Sequence, residues 1–346
     1  MSKDPDPGGR TIRTVDYHTG GEPFRIVVEG VPELEGRTVL ERRRWARDHV
    51  DDVRHLLVDE PRGHADMYGA FVTPPNDDDA DIGVVFFHNE GYSTACGHGT
   101  IALVTWAIDA GRVAAAAPET RVVVDVPSGR LYCRASVDGG GRVTSVAFRN
   151  VPSFVLARGL LIESSRGPVE VDVAFGGAFY GSVDVRALGL AVDRPSLPAL
   201  IALQRELRPA LDRAIDPRHP NEPDLAGIYG IIFWQAEPDQ PGADPVQRNV
   251  TVFADGEVDR SPCGSGTSAR LALLDAAAGG PLGRGTTLVH RSIVDSVFTG
   301  RVLGDGPAVG GAPSVITEVE GSAYRTGSHA FELDARDPLG TGFLLR

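Results

Sequence analysis

Three things are scarce in this chain. Cysteine is the first: Cys96, Cys133 and Cys263 are all there is in 346 residues. An odd, widely spaced set in a chain this long is not a secreted disulfide framework. No pair has Cys-x-x-Cys spacing, so the zinc-ribbon and thioredoxin signatures are missing. The second scarcity is apolar length, since no run is long enough to span a bilayer. The third is positive charge: 34 Lys and Arg stand against 47 Asp and Glu, for a net charge of −13. That balance argues against a nucleic-acid or anionic-membrane partner. It leaves room for a small anion, which backbone amides can bind locally. Residues 1–10 are polar with Pro and Gly, and read as a loose tail and not as a signal peptide. The expected compartment is the cytoplasm.

What is present is a duplicated motif. Ala95-Cys96-Gly97-His98-Gly99-Thr100 is echoed by Pro262-Cys263-Gly264-Ser265-Gly266-Thr267. Each copy follows an apolar strand-like run and opens a helix-like one. The length suggests about two domains, and the order of signals repeats. In the first half come a strand at Phe24–Val28, a helix over Leu40–Leu57, a strand at Met67–Val72 and a buried strand at Ile82–Phe87. A helix then runs from the motif to a stop at Gly111, followed by a hairpin turning at Pro127-Ser128-Gly129. The second half has a strand at Val171–Phe175 and a helix marked by Leu200, Leu203, Leu207 and Leu211. Strands at Ile228–Phe233 and Asn249–Phe253 follow. The motif helix stops at Gly279-Gly280, and a hairpin turn is expected at Thr299-Gly300-Arg301. The run around Ile228-Tyr229-Gly230 resembles that around Met67-Tyr68-Gly69. A repeat of so long a period means two whole domains, not a solenoid. The expected architecture is α/β (α+β): a first domain over 11–150, a second over 151–323, and a segment 324–346 crossing back to the first.

The motif suits proton transfer. A cysteine at a helix start sits at the positive end of the helix dipole, where the thiolate is favoured and the pKa is expected to fall. The Gly-x-Gly that follows leaves backbone amides uncrowded, as a carboxylate site requires. With two copies face to face, Cys96 and Cys263 would flank one carbon as general base and general acid, and configuration would invert. Amide donors from Gly97, His98, Gly264 and Ser265 would stabilise the charge growing on the carboxylate. Asp259, four residues before Cys263, suits the substrate ammonium, and His98 could reach the same group or tune Cys96. No metal or organic cofactor is expected. Against these stand plainer readings: Cys133, in an alternating strand, is a core residue, and His88 and Tyr229 lean structural, although Tyr229 could line the site. His64 is open between turn chemistry and function. Gly-x-Gly-Thr lacks the Walker lysine and the dinucleotide pattern, which disfavours nucleotide binding. A thiol redox or binding protein would explain the cysteines but neither the paired amide loops nor Asp259.

Together with His18-Thr19-Gly20-Gly21-Glu22-Pro23, Glu60-Pro61-Arg62-Gly63-His64 and Asp259-Arg260-Ser261-Pro262-Cys263-Gly264, these runs resemble the proline racemase family. That family includes 4-hydroxyproline 2-epimerases and trans-3-hydroxy-L-proline dehydratases. The resemblance implies a diaminopimelate-epimerase-like fold: two domains, each wrapping sheet around a central helix, with the site in the cleft between. It implies cofactor-free chemistry on proline or a hydroxyproline, and often a homodimer. By position it assigns Cys96 and Cys263 as the two bases, and Gly97, His98, Gly264 and Ser265 to the carboxylate loops. Asp259 falls on the nitrogen-binding residue, and Tyr229 near a position that is His in many epimerases. The subfamily signals conflict. His88–Thr94 and Phe175–Tyr180 resemble the dehydratase branch, yet dehydratases typically carry Thr where this chain has Cys263. A second cysteine restores a two-base apparatus, so racemisation or epimerisation is favoured over dehydration.

Overall fold

The computed structural model describes residues 11–238, 242–277, 282, 284–334 and 336–345. The expected tail at 1–10 and the helix stop at Gly279-Gly280 lie outside the described residues.

Both halves use one order of strand pairing. In the first, Thr11–Thr19 runs antiparallel to Glu22–Glu29, which lies parallel to Tyr68–Thr73. That strand is antiparallel to Ile82–His88, which is parallel to Glu119–Val126. In the second, Gly167–Phe175 is antiparallel to Phe179–Asp184, which is parallel to Ile228–Ala236. That strand is antiparallel to Val246–Phe253, which is parallel to Leu288–Ser292. Each series ends in a hairpin and one further strand, Val143–Arg149 or Val315–Gly321. These two last strands pair with each other, Glu318 opposite Arg149. The chain then crosses over on each side. Phe154–Ser164 joins Gly167–Phe175, and Ala323–Glu332 returns to pair with Thr11–Thr19. The result is a mixed α/β fold of two similar halves.

Helices α1 (Val39–His49) and α2 (Asp51–Val58) connect strands of the first half. Helix α3 (Gly97–Asp109) lies within it. The second half holds α4 (Leu197–Ala214) and α5 (Gly264–Asp275). Every residue of α3 through Ile108, and of α5 through Leu274, is buried. A helix buried all round can only be an axle inside a curved sheet, which is why neither shows a clear polar face. The outer helices are amphipathic: Leu200, Leu203, Leu207 and Leu211 of α4 all face the core.

Two expectations are corrected. The helix over Leu40–Leu57 is really α1 and α2, broken at Val50, whose backbone (φ −134°, ψ 24°) leaves the helical region. The apolar face continues across the break, with Ala46, Val50, Val53 and Leu57 all buried, so periodicity did not reveal it. Gly300 is not a turn residue either. It lies within strand Val297–Asp305, opposite Leu288. It packs directly on α5, since a Cβ there would meet the Thr267 side chain at 2.9 Å. The turn falls at 293–296, where Asp295 has a φ of +66°.

Candidate active site

Cys96 and Cys263 are the N-caps of α3 and α5, and the two helix starts touch. A Cβ on Gly97 would lie 2.4 Å from Gly264 Cα, and one on Gly264 2.7 Å from Gly97 Cα. The first glycine of each motif therefore lets the helices abut. The second makes room for the thiol: a Cβ on Gly99 would meet Cys96 Sγ at 2.7 Å, and one on Gly266 would meet Cys263 Sγ at 2.9 Å. Both cysteines line one small cavity, of about 10 Å³, together with Gly97, His98, Asp259, Ser265 and Tyr229. That volume holds about one water molecule. Gly264 stands at its edge through the contact with Gly97. The structure thus brings together all eight residues singled out in the sequence.

The two thiols are not equivalent. Cys96 has an extended backbone, and its Sγ accepts the Gly99 N–H at 3.2 Å. Cys263 has a φ of +61°, a region that costs a non-glycine residue energy and recurs at functional sites. Its N–H is held by Ser261 Oγ at 3.1 Å. Its Sγ lies 3.9 Å from Tyr180 Oη, which is 2.7 Å from Ser265 Oγ.

The electrostatics correct the expected fall in thiol pKa. Burial pushes Cys96 well above the usual thiol range. The Gly99 N–H opposes this, while Asp259, Cys263 and Glu22 add to it. Burial, then Asp259, pushes Cys263 up to about 12, against donors from Thr251, Gly266 and Tyr180. With each cysteine 5% exposed, desolvation outweighs what a helix N-terminus offers. Asp259 is itself raised to about 6 by burial, although the Ser261 N–H bonds its Oδ1 at 2.8 Å. His98 is neutral: burial, then Arg260, lowers it to about 3. Its ring nitrogens lie 3.4 and 3.6 Å from Cys96 Sγ, and Nδ1 is 3.8 Å from Asp259 Oδ2, beyond hydrogen-bond reach.

Sequence reasoning missed four side chains of the lining, Tyr68, Tyr180, Thr251 and Phe253. One of them was detectable. Tyr68-Gly69 and Tyr229-Gly230 occupy matching strands, and their hydroxyls meet at 3.0 Å. Tyr68 also donates to Ser93 Oγ. His64 is exposed and bonds Ala65 O. Cys133 is buried in the core. An outer cleft of about 290 Å³ lies between the halves and shares Tyr229 with the inner cavity; it is lined also by His88, Arg43, Thr94, Phe179 and Arg208. Among the described residues, no group of three or more His, Cys, Asp or Glu side chains is placed to hold a metal ion.

Two similar halves, each wrapping sheet around a buried helix, make up a fold known from other solved structures. The crystal structure of a PhzF-family phenazine biosynthesis protein from Bacillus anthracis shares it, with a TM-score of 0.56 at 13% identity over 93% of this chain and 99% of that one. The particular family is narrower: the chain belongs to the proline racemase family, whose model matches residues 14–344. It is 47% identical over 338 residues to a 3-hydroxyproline 2-epimerase of Burkholderia multivorans, covering 97% of this chain and 99% of that one. It is 45% identical over 332 residues to a trans-3-hydroxy-L-proline dehydratase of Bacillus cereus, covering 96% and 97%. A hydroxyproline epimerase from Agrobacterium vitis, solved with bound trans-4-hydroxy-L-proline, superposes with a TM-score of 0.89 at 33% identity, over 97% and 96% of the chains. The chain is an enzyme of this family.

Proposed function

We propose that the protein inverts the α-carbon of a hydroxyproline, with Cys96 and Cys263 as general base and general acid. The observation that carries this reading is the shared cavity: two buried thiols from two abutting helix starts. The substrate carboxylate would lie between those starts, where the first N–H groups of each helix have no intrahelical partner. The same donors stabilise the charge that builds up as the α-proton leaves. Asp259 would take the ring nitrogen. The positive ring nitrogen of the zwitterionic substrate, held at Asp259, opposes that residue's raising of both thiol pKa values and eases formation of one thiolate. One thiolate removes the proton from one face while the other thiol delivers one to the opposite face. The pair titrates as a unit. Because relatives named for both 3-hydroxyproline and 4-hydroxyproline chemistry resemble this chain, both ring isomers belong in the assay.

A second reading has its own support in the dehydratase relatives. There a single base, Cys96, removes the α-proton, the β-hydroxyl leaves as water, and no proton returns to the far face. The two readings separate in heavy water. Inversion predicts deuterium at the α-carbon of an otherwise intact imino acid, abolished by Cys263→Ser. Dehydration predicts a pyrroline carboxylate from trans-3-hydroxy-L-proline, surviving Cys263→Thr. Absence of exchange on every proline and hydroxyproline tried would refute the first reading.

A further inference from the structure

Glu22 is a fully buried acid, 0% exposed, that nothing above uses. It opens strand Glu22–Glu29 directly after the tight turn at Gly20 and Gly21, both at positive φ. It pairs back with Thr19, whose Oγ1 donates to His98 O at 2.9 Å. The turn therefore braces the start of α3. Glu22 Oε2 accepts the N–H of Arg260, the residue after Asp259, at 2.7 Å. Arg260 Nη1 is 3.5 Å from the same oxygen. Glu22 Oε1 is buried with no hydrogen-bond partner.

Three buried carboxyl groups face one another here: Glu22 from the turn, Asp66 from the loop before strand Tyr68–Thr73, and Asp259 from strand Glu257–Asp259. Arg260 reaches two of them, and it lies closer to Asp66, at 3.3 Å, than to Glu22, at 3.5 Å. From the start of α3 come His98, which is neutral, and Cys96, whose thiolate a charge on Glu22 would further disfavour. The donors to Asp66 include Val258 N–H and Arg260, and Asp259 has Ser261 N–H. Glu22 has a backbone N–H on one oxygen only. An anion with its other oxygen against no donor is the costliest of the three to keep.

We infer that Glu22 is a positioning residue for the substrate-nitrogen subsite, and that it works as an uncharged acid. It fixes the Asp259–Arg260 turn through the Arg260 N–H and leaves Asp259 as the anion facing the cavity. Burial, reinforced by Asp259, holds Glu22 well above the usual carboxylate range, in agreement. The role given to Asp259 rests on the proposed function; the charge state of Glu22 does not.

The test uses the full chain and two readouts. Infrared spectroscopy at neutral pH should show a protonated-carboxyl C=O band that is lost in Glu22→Gln. Absence of that band in the wild type overturns the inference, whether or not any substrate turns over. In turnover, Glu22→Gln keeps the shape and the neutral charge, so kcat and KM should stay within about threefold and the acid limb of kcat/KM should not move. Glu22→Asp, too short to reach the Arg260 N–H, should lose kcat by about tenfold or more. A downward shift of the acid limb by about one pH unit in Glu22→Gln would mean that Glu22 carries charge beside Asp259, and full activity in Glu22→Asp would remove its positioning role.

Discussion

A carboxyl group buried against two thiols resists ionisation, and burial raises Asp259 to about 6 from its ordinary 3.8. The folded pKa lies above the unfolded one. Asp259 thus contributes its stability in full below about pH 4, and that contribution is lost as pH rises through 6. The difference corresponds to about 3 kcal/mol. Asp259→Asn keeps the acceptor for the Ser261 N–H but cannot ionise. Its Tm should exceed that of the wild type at pH 8, and the difference should vanish near pH 4. Turnover should be lost at both, since the proposed nitrogen partner is gone. The wild-type kcat/KM should rise between pH 5 and 7 as Asp259 ionises. It should continue to rise above 7, because both thiols sit high in the free enzyme. A plateau reached below pH 7 would mean that a thiolate already exists in the free enzyme.

At the scale of elements, the joint between α3 and α5 carries the site. Its tolerance is set by Gly97, where any Cβ runs into the backbone of Gly264 and not into a movable side chain. Gly97→Ala must part the helix starts, which is overpacking with a cost of about 1–3 kcal/mol. We expect a lower Tm together with loss of α-proton exchange well beyond what that destabilisation explains, because misplacing a base by an ångström alone costs on the order of a hundredfold. Gly111→Ala is the control. Gly111 ends α3 at a φ of +66° with open space around it, far from the cavity. Its cost should appear in stability and not in exchange. Equal losses of exchange in the two variants would undo the argument.

Across the whole molecule, the inner cavity of about 10 Å³ is too small for an imino acid. For substrate to fit there, the walls of the cavity have to move apart, and they come from both halves. The Tyr68–Tyr229 hydrogen bond, 3.0 Å long, bridges them, and Tyr229 also lines the larger cleft outside. Tyr229→Phe keeps the ring stacked on Phe253 and removes only the bridging hydroxyl. Opening should become easier, so substrate association and dissociation rates should both rise by a few-fold, roughly, in stopped-flow measurements. Unchanged rates would place the gate elsewhere.

Much of this was legible in the chain alone. Cys-Gly-x-Gly-Thr occurs twice because each copy solves the same local problem: a thiol at a helix start, a glycine beneath it, and a glycine for the facing helix. Local chemistry of that kind is written in residue order, so the duplication, the two motif helices and the candidate residues could be read directly. Helix breaks and turn positions were less legible, because Val50 leaves the helix without interrupting the apolar face and Gly300 serves packing in mid-strand. What only the tertiary structure decided is charge and closeness. Whether a thiol at a helix start ionises depends on how much water surrounds it and on which carboxyl groups arrive from distant strands. Glu22, Asp66 and Asp259 are far apart in sequence, and their competition for Arg260 exists only once the sheet has closed around α3 and α5.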